Sequence, residues 1–339
     1  MQELNFEVFW QTFEDNYAFF EFKGVDWKET YSKHRPRVTA KISDDELFQI
    51  LTDMVRPLKD GHIHIEAHED NYFNDGGNPS IFLQQFNNDS LRGEFWGMVS
   101  NTLLKEGFNP IDSIGFELDG EKLFHYAKSD KIGYFRFLRS DPTGESYTAS
   151  DLIQIRKDLN VIFEDFKELD GLIVDVRLYR GGYPEFSMEV AARFTDERTV
   201  SRHNHSRISG AGYESFDSLI THYIEPEQVY ATEKFLKPVV LLTNEGVGSA
   251  GETFVMSMKQ FPNAISVGSN TAGILSFMYE FNLPNGWWVS LSNSRTYSAD
   301  MKLYEGTGIP VNHKVLNSKE DIKKGKDHVI LKALKILKK

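Results

Sequence analysis

The sequence predicts an α/β protein with a mostly parallel sheet and a small helical domain ahead of it. Two observations in the second half carry the α/β expectation. An apolar run at 172–176 leads through Arg180-Gly181-Gly182 into a helical pattern from about Glu185. A second run, 239–242, leads through a glycine-rich turn into a helix bearing Phe254, Val255, Met258 and Phe261. Two successive strand–loop–helix units imply neighbouring parallel strands. The third observation concerns the chain up to about Leu58, where apolar residues recur at helical spacing.

In chain order, Phe6, Phe9, Phe13 and Tyr17 mark a first helix, followed by an aromatic-rich connection over 19–27. Ser43 with Glu46 forms a capping box, and Leu47, Ile50, Leu51, Met54, Val55 and Leu58 then share one face until Pro57 and the Asp60-Gly61 turn end the helix. Residues 62–66 alternate like a strand, with His62 and His64 on one face and Ile63 and Ile65 on the other. The stretch 68–97, rich in Asn, Asp, Gly and aromatics without steady period, reads as a long loop or cover. Beyond it come a strand at 132–138, an amphipathic helix at 150–169 with Leu152, Ile155, Leu159, Ile162, Phe163 and Phe166 inward, a strand at 287–294 and a basic amphipathic helix at 321–337. The expected organisation is a helical domain over 1–60, a strand, long loop and connecting segment over 61–130, and the α/β domain over 131–339.

Composition narrows the function. The 339 residues include 40% hydrophobic side chains and 25 glycines, enough to bury a sizeable core. Fifty acidic against 38 basic residues give a net charge of -12, which disfavours nucleic acid and anionic membrane surfaces as partners. With no cysteine, covalent chemistry falls to Ser, Thr, Lys or a carboxylate. No run approaches the ~18 apolar residues a spanning helix needs.

The segment Thr243-Asn244-Glu245-Gly246-Val247-Gly248-Ser249-Ala250-Gly251-Glu252 places Ser249 where a strand gives way to a helix. Free N–H groups and the positive end of the helix dipole there suit an oxyanion forming beside the hydroxyl. The alternative is an ordinary N-cap serine in a glycine turn. Val247 breaks the G-x-S-x-G pattern and disfavours an α/β-hydrolase. His62, His64 and His68 admit a metal-cluster reading because alternate strand residues share a face, but no distant carboxylate stands out as a fourth ligand. His203 and His205 read as a solvated polar loop, Glu252 as a response to the helix dipole, and Arg177 and Arg180 as candidates for a substrate carboxylate.

Several of these segments, in this order, resemble the tricorn and C-terminal processing peptidases. Gly248-Ser249-Ala250-Gly251-Glu252 is similar to their nucleophile turn, and Asp175-Val176-Arg177 with Gly181-Gly182 to their oxyanion loop. The runs 20–27 and 58–62 resemble their N-terminal helical segment, and 304–310 a stretch near their C-terminus. The resemblance implies a ClpP/crotonase-like core with a helical cap, acting as a serine peptidase through an acyl-enzyme without metal or cofactor. It implies Ser249 as nucleophile, His62 as base, Glu305 as the group that orients the histidine, and the N–H groups of Gly181 or Gly182 and of Ala250 as oxyanion donors. The expected partner is a peptide or protein substrate, and the family's habits suggest a bacterial periplasm or cell-envelope location.

The chain departs from the tail-specific subgroup at Thr271-Ala272-Gly273-Ile274-Leu275, where that subgroup carries its catalytic lysine; Ile274 cannot accept a proton, so the tricorn-like histidine is the base to expect. Gly61 stands where tricorn has a serine linking glutamate to histidine, which leaves Asp60 as a competing orienter. No PDZ module is legible between His62 and Lys131. The same fold also serves non-catalytic binders of apolar ligands, with which Trp287 and Trp288 are compatible, pseudoenzymes, and acyl-CoA enzymes, although no CoA-binding signature is evident.

Overall fold

The structure is a computed structural model that describes residues 1–68, 71–74, 85–86, 88–141, 147–226 and 234–338. The chain forms two compact units, the first made of 1–78, 203–220 and 274–306 and the second of 79–202, 221–273 and 307–339. The N-terminal helices therefore do not form a domain that ends near residue 60; their unit takes in two later segments as well.

In the first unit the helices Gln2–Asn16, Trp27–His34 and Asp44–Val55 share one core with an antiparallel sheet ordered Met278–Asn282, Trp288–Ser292, His64–His68, Asn71–Phe73. The Ser43–Glu46 capping box is present as both reciprocal hydrogen bonds. Phe6, Phe9, Phe13, Trp27, Leu51 and Trp287 meet in the core, so the helix stripes need the late strands to complete their burial. Trp287 is 1% exposed and packs against Phe48, a core position and not the wall of an apolar ligand pocket. The stretch around His203 and His205 is the strand Thr199–Ser206 instead of a loop, and the His205 ring stacks on Phe216 with centroids 4.2 Å apart.

The second unit holds the expected α/β sheet, ordered His313–Lys314, Ala264–Gly268, Val239–Thr243, Gly171–Asp175, Ile132–Phe137, Glu121–Lys128, Asp112–Leu118. The first five of these run parallel and the last two extend the sheet as antiparallel strands. Every residue of Gly171–Asp175 and Val239–Thr243 is buried, as continuous apolar runs require when helices cover both faces. One face packs on Phe95, Met98, Val99 and Leu103 of the helix Asp89–Lys105 and on Val329, Ile330, Ala333 and Leu334 of the helix His328–Leu337. On the other face, Phe137 meets Phe254 of the helix Ala250–Met258 at 5.0 Å, and Phe135 meets Phe163 of the helix Ala149–Phe166 at 5.9 Å.

Two expectations change. Within 68–97, residues 69–70, 75–84 and 87 lie outside the described residues, but the remainder holds the strand Asn71–Phe73 and the start of the helix Asp89–Lys105. Gly93, Gly97 and Asn101 weaken helix propensity there, and burial of Phe95, Val99 and Leu103 outweighs it. The terminal helix is two helices, Lys319–Lys324 and His328–Leu337, because Gly325 ends the first with φ 58 and Asp327 caps the second.

Candidate active site

The strand Val239–Thr243 ends at Asn244, whose side-chain oxygen accepts the N–H groups of Gly246 and Leu178, each at 3.0 Å. One amide thus ties the turn that carries Ser249 to the loop that carries Gly181 and Gly182. The Gly248 N–H donates to the Tyr179 carbonyl at 3.0 Å, and a Cβ on Gly251 would stand 2.4 Å from that carbonyl oxygen. Behind these loops Tyr179 Oη pairs with Ser187 Oγ at 2.6 Å, and Ser187 Oγ donates to the Ala250 carbonyl at 3.1 Å.

Ser249 occupies the N-cap position of Ala250–Met258 without behaving as a cap. Its φ of 51 and ψ of -122 lie outside the extended region that N-caps adopt, and its side chain makes no cap hydrogen bond. A non-glycine residue in such a conformation stores about 1–3 kcal/mol of strain. The half-buried hydroxyl is left available for chemistry.

Gly181 and Gly182, with φ of 117 and 118, can be filled only by glycine without strain. The Gly181 carbonyl accepts from Ser140 N at 2.9 Å and from Ser140 Oγ at 3.0 Å. Because a trans peptide points its C=O and N–H in opposite directions, the Gly182 N–H is turned away from Ser140. Neither it nor the Ala250 N–H has an acceptor among the described residues. Free amides of this kind can hold a developing oxyanion. Ser140 and Asn244, which fix this geometry, were not singled out by the sequence. Asn244 had a signal, an Asn two residues ahead of a glycine after a strand, whereas Ser140 had none.

His62 and Glu305 belong to the first unit, and Ser249, Gly181, Gly182 and Ala250 to the second. His62 precedes its strand instead of opening it, since the strand runs His64–His68. Its backbone is clamped: the N–H donates to Asp60 Oδ1 at 2.9 Å and the carbonyl accepts from Ser290 Oγ at 2.8 Å. The imidazole is 4% exposed, and Nδ1 is buried with no hydrogen-bond partner among the described residues. Burial lowers its pKa, the Asp60 charge opposes part of that shift and His64 adds to it, so the ring is neutral at neutral pH.

Asp60 is not placed to orient the ring. Besides the His62 N–H, it accepts from Ser292 Oγ and from Tyr17 Oη, each at 3.0 Å, and so serves the turn. Glu305 is 1% exposed and accepts the Leu275 N–H at 3.0 Å. Its counterpart in the second unit, Glu252, is fully buried and accepts from Thr271 Oγ1 and, at 2.9 Å, from the Gly273 N–H, a tether the helix dipole alone does not explain. His64 is used within its sheet by Tyr72 and Asn74, and no cluster of three or more His, Asp or Glu able to hold a metal occurs among the described residues. Arg177 is unavailable to substrate. It is 2% exposed, bonded to Asp175 and Asp327, and Asp175 also accepts from Tyr134. Arg180, beside Gly181, is exposed.

The chain as a whole is similar to known proteins. The Tricorn protease C1 domain matches residues 2–56. A candidate peptidase from Parabacteroides merdae is 27% identical with a TM-score of 0.79, covering 99% of this chain and 96% of its own. Mature CPAF complexed with lactacystin is 14% identical with a TM-score of 0.70, covering 99% and 97%, and tricorn protease is 16% identical with a TM-score of 0.58, covering 99% of this chain and 36% of its own. These last two likenesses establish the fold. The pattern of Peptidase family S41 matches residues 131–315, more than half of the chain, and the protein belongs to that family of peptidases.

Proposed function

We propose that this peptidase cleaves peptide bonds through an acyl-enzyme on Ser249, with His62 as general base. The observation that carries the reading is the behaviour of Ser249, which sits at a helix N-terminus in a strained backbone yet caps nothing. Its hydroxyl attacks the scissile carbonyl while His62 takes its proton. The N–H groups of Ala250 and of Gly181 or Gly182 receive the oxyanion of the tetrahedral intermediate. The imidazolium then protonates the leaving amine, and water, deprotonated by the same ring, releases the acyl group. The lowered pKa of His62 supports this role, because a base must be neutral before attack. In this reading Glu305 is the third member, and the free Nδ1 of His62 is the atom it serves when substrate is bound.

The test is labelling with a fluorophosphonate probe, followed by intact mass and peptide mapping. Wild type is expected to carry one adduct on Ser249, and Ser249→Ala and His62→Ala none. Substitution of any lysine is expected to leave labelling intact. Loss of labelling in a folded lysine variant would show that His62 is not the base.

A further inference from the structure

We infer that a cavity at the carboxyl ends of two parallel strands binds a small uncharged carboxamide, and that the loops around Ser249 respond to its occupant. The binding stands on geometry alone, and the consequence for catalysis rests on the peptidase reading of this chain. The cavity, of about 50 Å3, is lined by Asn244 and Ser269, the residues that follow Val239–Thr243 and Ala264–Gly268, and by Phe95, Val315, Leu316 and Val329. It lies in the second unit, on the face of the sheet that Phe95 and Val329 cover. Ser249, Ala250, Gly181 and Gly182 do not line it. Open α/β sheets commonly bind ligands outside the carboxyl ends of their strands.

Two polar side chains of this wall are short of partners. Asn244 Nδ2 and Ser269 Oγ are both buried and have no hydrogen bond among the described residues. Which end of the Asn244 amide is free follows from the other end. Its Oδ1 accepts the Gly246 and Leu178 N–H groups, each at 3.0 Å, and a flipped amide would set its NH2 against two donors. The free end is therefore a donor, whereas Ser269 Oγ can donate or accept. A buried polar group left unpaired costs about 1–3 kcal/mol. Two of them at one cavity mark a place for an occupant that brings an acceptor and a donor together, and a primary carboxamide carries both.

Charge and size narrow the occupant further. Arg177 reaches the wall, but it is already paired with Asp175 and Asp327, and Glu245 lines the cavity as well. Three carboxylates around one guanidinium leave no attraction for an anion, and an ammonium, which only donates, has nothing to accept from Asn244. The volume equals the room of roughly three to five waters, or of one molecule of about five non-hydrogen atoms. Water satisfies the two polar groups but not the four apolar walls, which suit a short alkyl end.

Asn244 connects the cavity to the loops. Its Oδ1 holds both the turn that carries Ser249 and the loop that carries the two glycines. Leu178, at the start of that loop, has a φ of 72, a conformation leucine keeps only when it is held there. An occupant bonded to Nδ2 fixes the same amide plane and favours the state in which both N–H bonds are made. Filling the cavity therefore ties the two loops together and speeds attack by Ser249.

The test uses propionamide as the probe on the full-length protein, with propionate and propylammonium as controls of similar shape. Saturation-transfer NMR is expected to give propionamide a Kd of about 1–10 mM and neither ion a measurable one. Ser269→Ala should weaken propionamide binding about three- to tenfold at an unchanged melting temperature, since Oγ makes no bond within the protein. Bound propionamide should slow hydrogen exchange of the Gly246 and Leu178 amides at least about threefold. N-acetylglutamine methylamide separates the two sources of the group: binding as tight as propionamide assigns the site to a glutamine side chain of a peptide, and binding of propionamide alone assigns it to a free small amide. No binding of propionamide, equal binding of either ion, an affinity unchanged by Ser269→Ala, or unchanged exchange at Gly246 and Leu178 overturns the proposal. If binding and slowed exchange hold while fluorophosphonate labels no serine, the peptidase mechanism fails and this site stands.

Discussion

Gly181 lies so close to Ser249 that a Cβ built on it would stand 2.8 Å from the Ser249 Cβ and 3.0 Å from the Ala250 nitrogen. Neither neighbour is the end of a flexible chain, so both would have to shift with their backbone. The φ of 117 at Gly181 adds a conformation that alanine resists. Gly181→Ala is expected to cost about 1–3 kcal/mol of stability in urea unfolding and to slow fluorophosphonate labelling by about a hundredfold. Labelling at the wild-type rate in a folded variant would mean that this contact does not position the nucleophile.

The Ser249 backbone itself gives a second prediction. Ser249→Ala and Ser249→Gly both remove the hydroxyl and should both be inert to the probe. They differ in strain: alanine keeps the cost of φ 51 with ψ -122, whereas glycine relieves it. Ser249→Gly is expected to be about 1 kcal/mol more stable than Ser249→Ala, even though glycine ordinarily loses stability through the entropy of the unfolded chain. Urea midpoints measured side by side decide it, and the reverse order would mean that the turn is not strained.

Most of the second unit was legible in the sequence because its signals are local. Continuous apolar runs at 172–174 and 239–242 mark strands buried on both faces, and the stripe from Leu152 to Phe166 marks a helix that packs on Phe135 of the neighbouring strand. The first unit was legible only in part. Its helices were evident from Phe6, Phe9 and Phe13, but their core is completed by Leu283, Trp287, Val289 and Leu291, some 270 residues later, and no local period reports such a partnership. The helix Asp89–Lys105 was hidden because its glycines and asparagine break the pattern that burial later enforces. At the proposed site, the motifs drew attention to Ser249 and the two glycines. The backbone angles that set Ser249 apart from an ordinary cap, and the Ser140 and Asn244 hydrogen bonds that hold the loops, are tertiary properties without a sequence period.

The buried His62 ring makes activity and stability depend on pH in a fixed direction. Its folded pKa lies below the ordinary 6.5, mainly through desolvation. With His62 as the proposed base, probe labelling should hold its plateau to below pH 6.5, since the ring remains neutral there, and fall only as pH passes the lowered value. For stability, the unfolded chain binds a proton at this residue more readily than the folded one. The contribution is complete above the unfolded pKa and is lost as pH falls from there towards the folded pKa. His34, His64, His125 and His205 are shifted in the same direction, so the informative quantity is a difference. Between pH 8 and pH 5, the drop in urea midpoint should be smaller for His62→Gln than for wild type. An equal drop would mean that His62 is not desolvated in solution.

The Asp175–Arg177–Asp327 cluster is structural, and its removal should show in stability before it shows in catalysis. Arg177 donates to both oxygens of Asp175, Nε at 2.9 Å and Nη2 at 2.6 Å, and through Nη1 to Asp327 at 2.8 Å. Asp327 also caps the last helix through the Val329 and Ile330 N–H groups and accepts from Asn317 at 2.8 Å. Asp327→Ala removes the cap and half of the charge that balances a guanidinium only 2% exposed. The expected loss is about 3–5 kcal/mol, the usual result of stranding one partner of a buried ion pair. Asp327→Asn, which keeps an acceptor for the cap, should lose less. Adding Arg177→Met to Asp327→Ala should recover part of the loss, because the stranded cation goes with it. Denaturant unfolding of the four proteins tests the cycle, and simple additivity of the two single losses would mean that the ion pair is not what holds the last helix against the sheet.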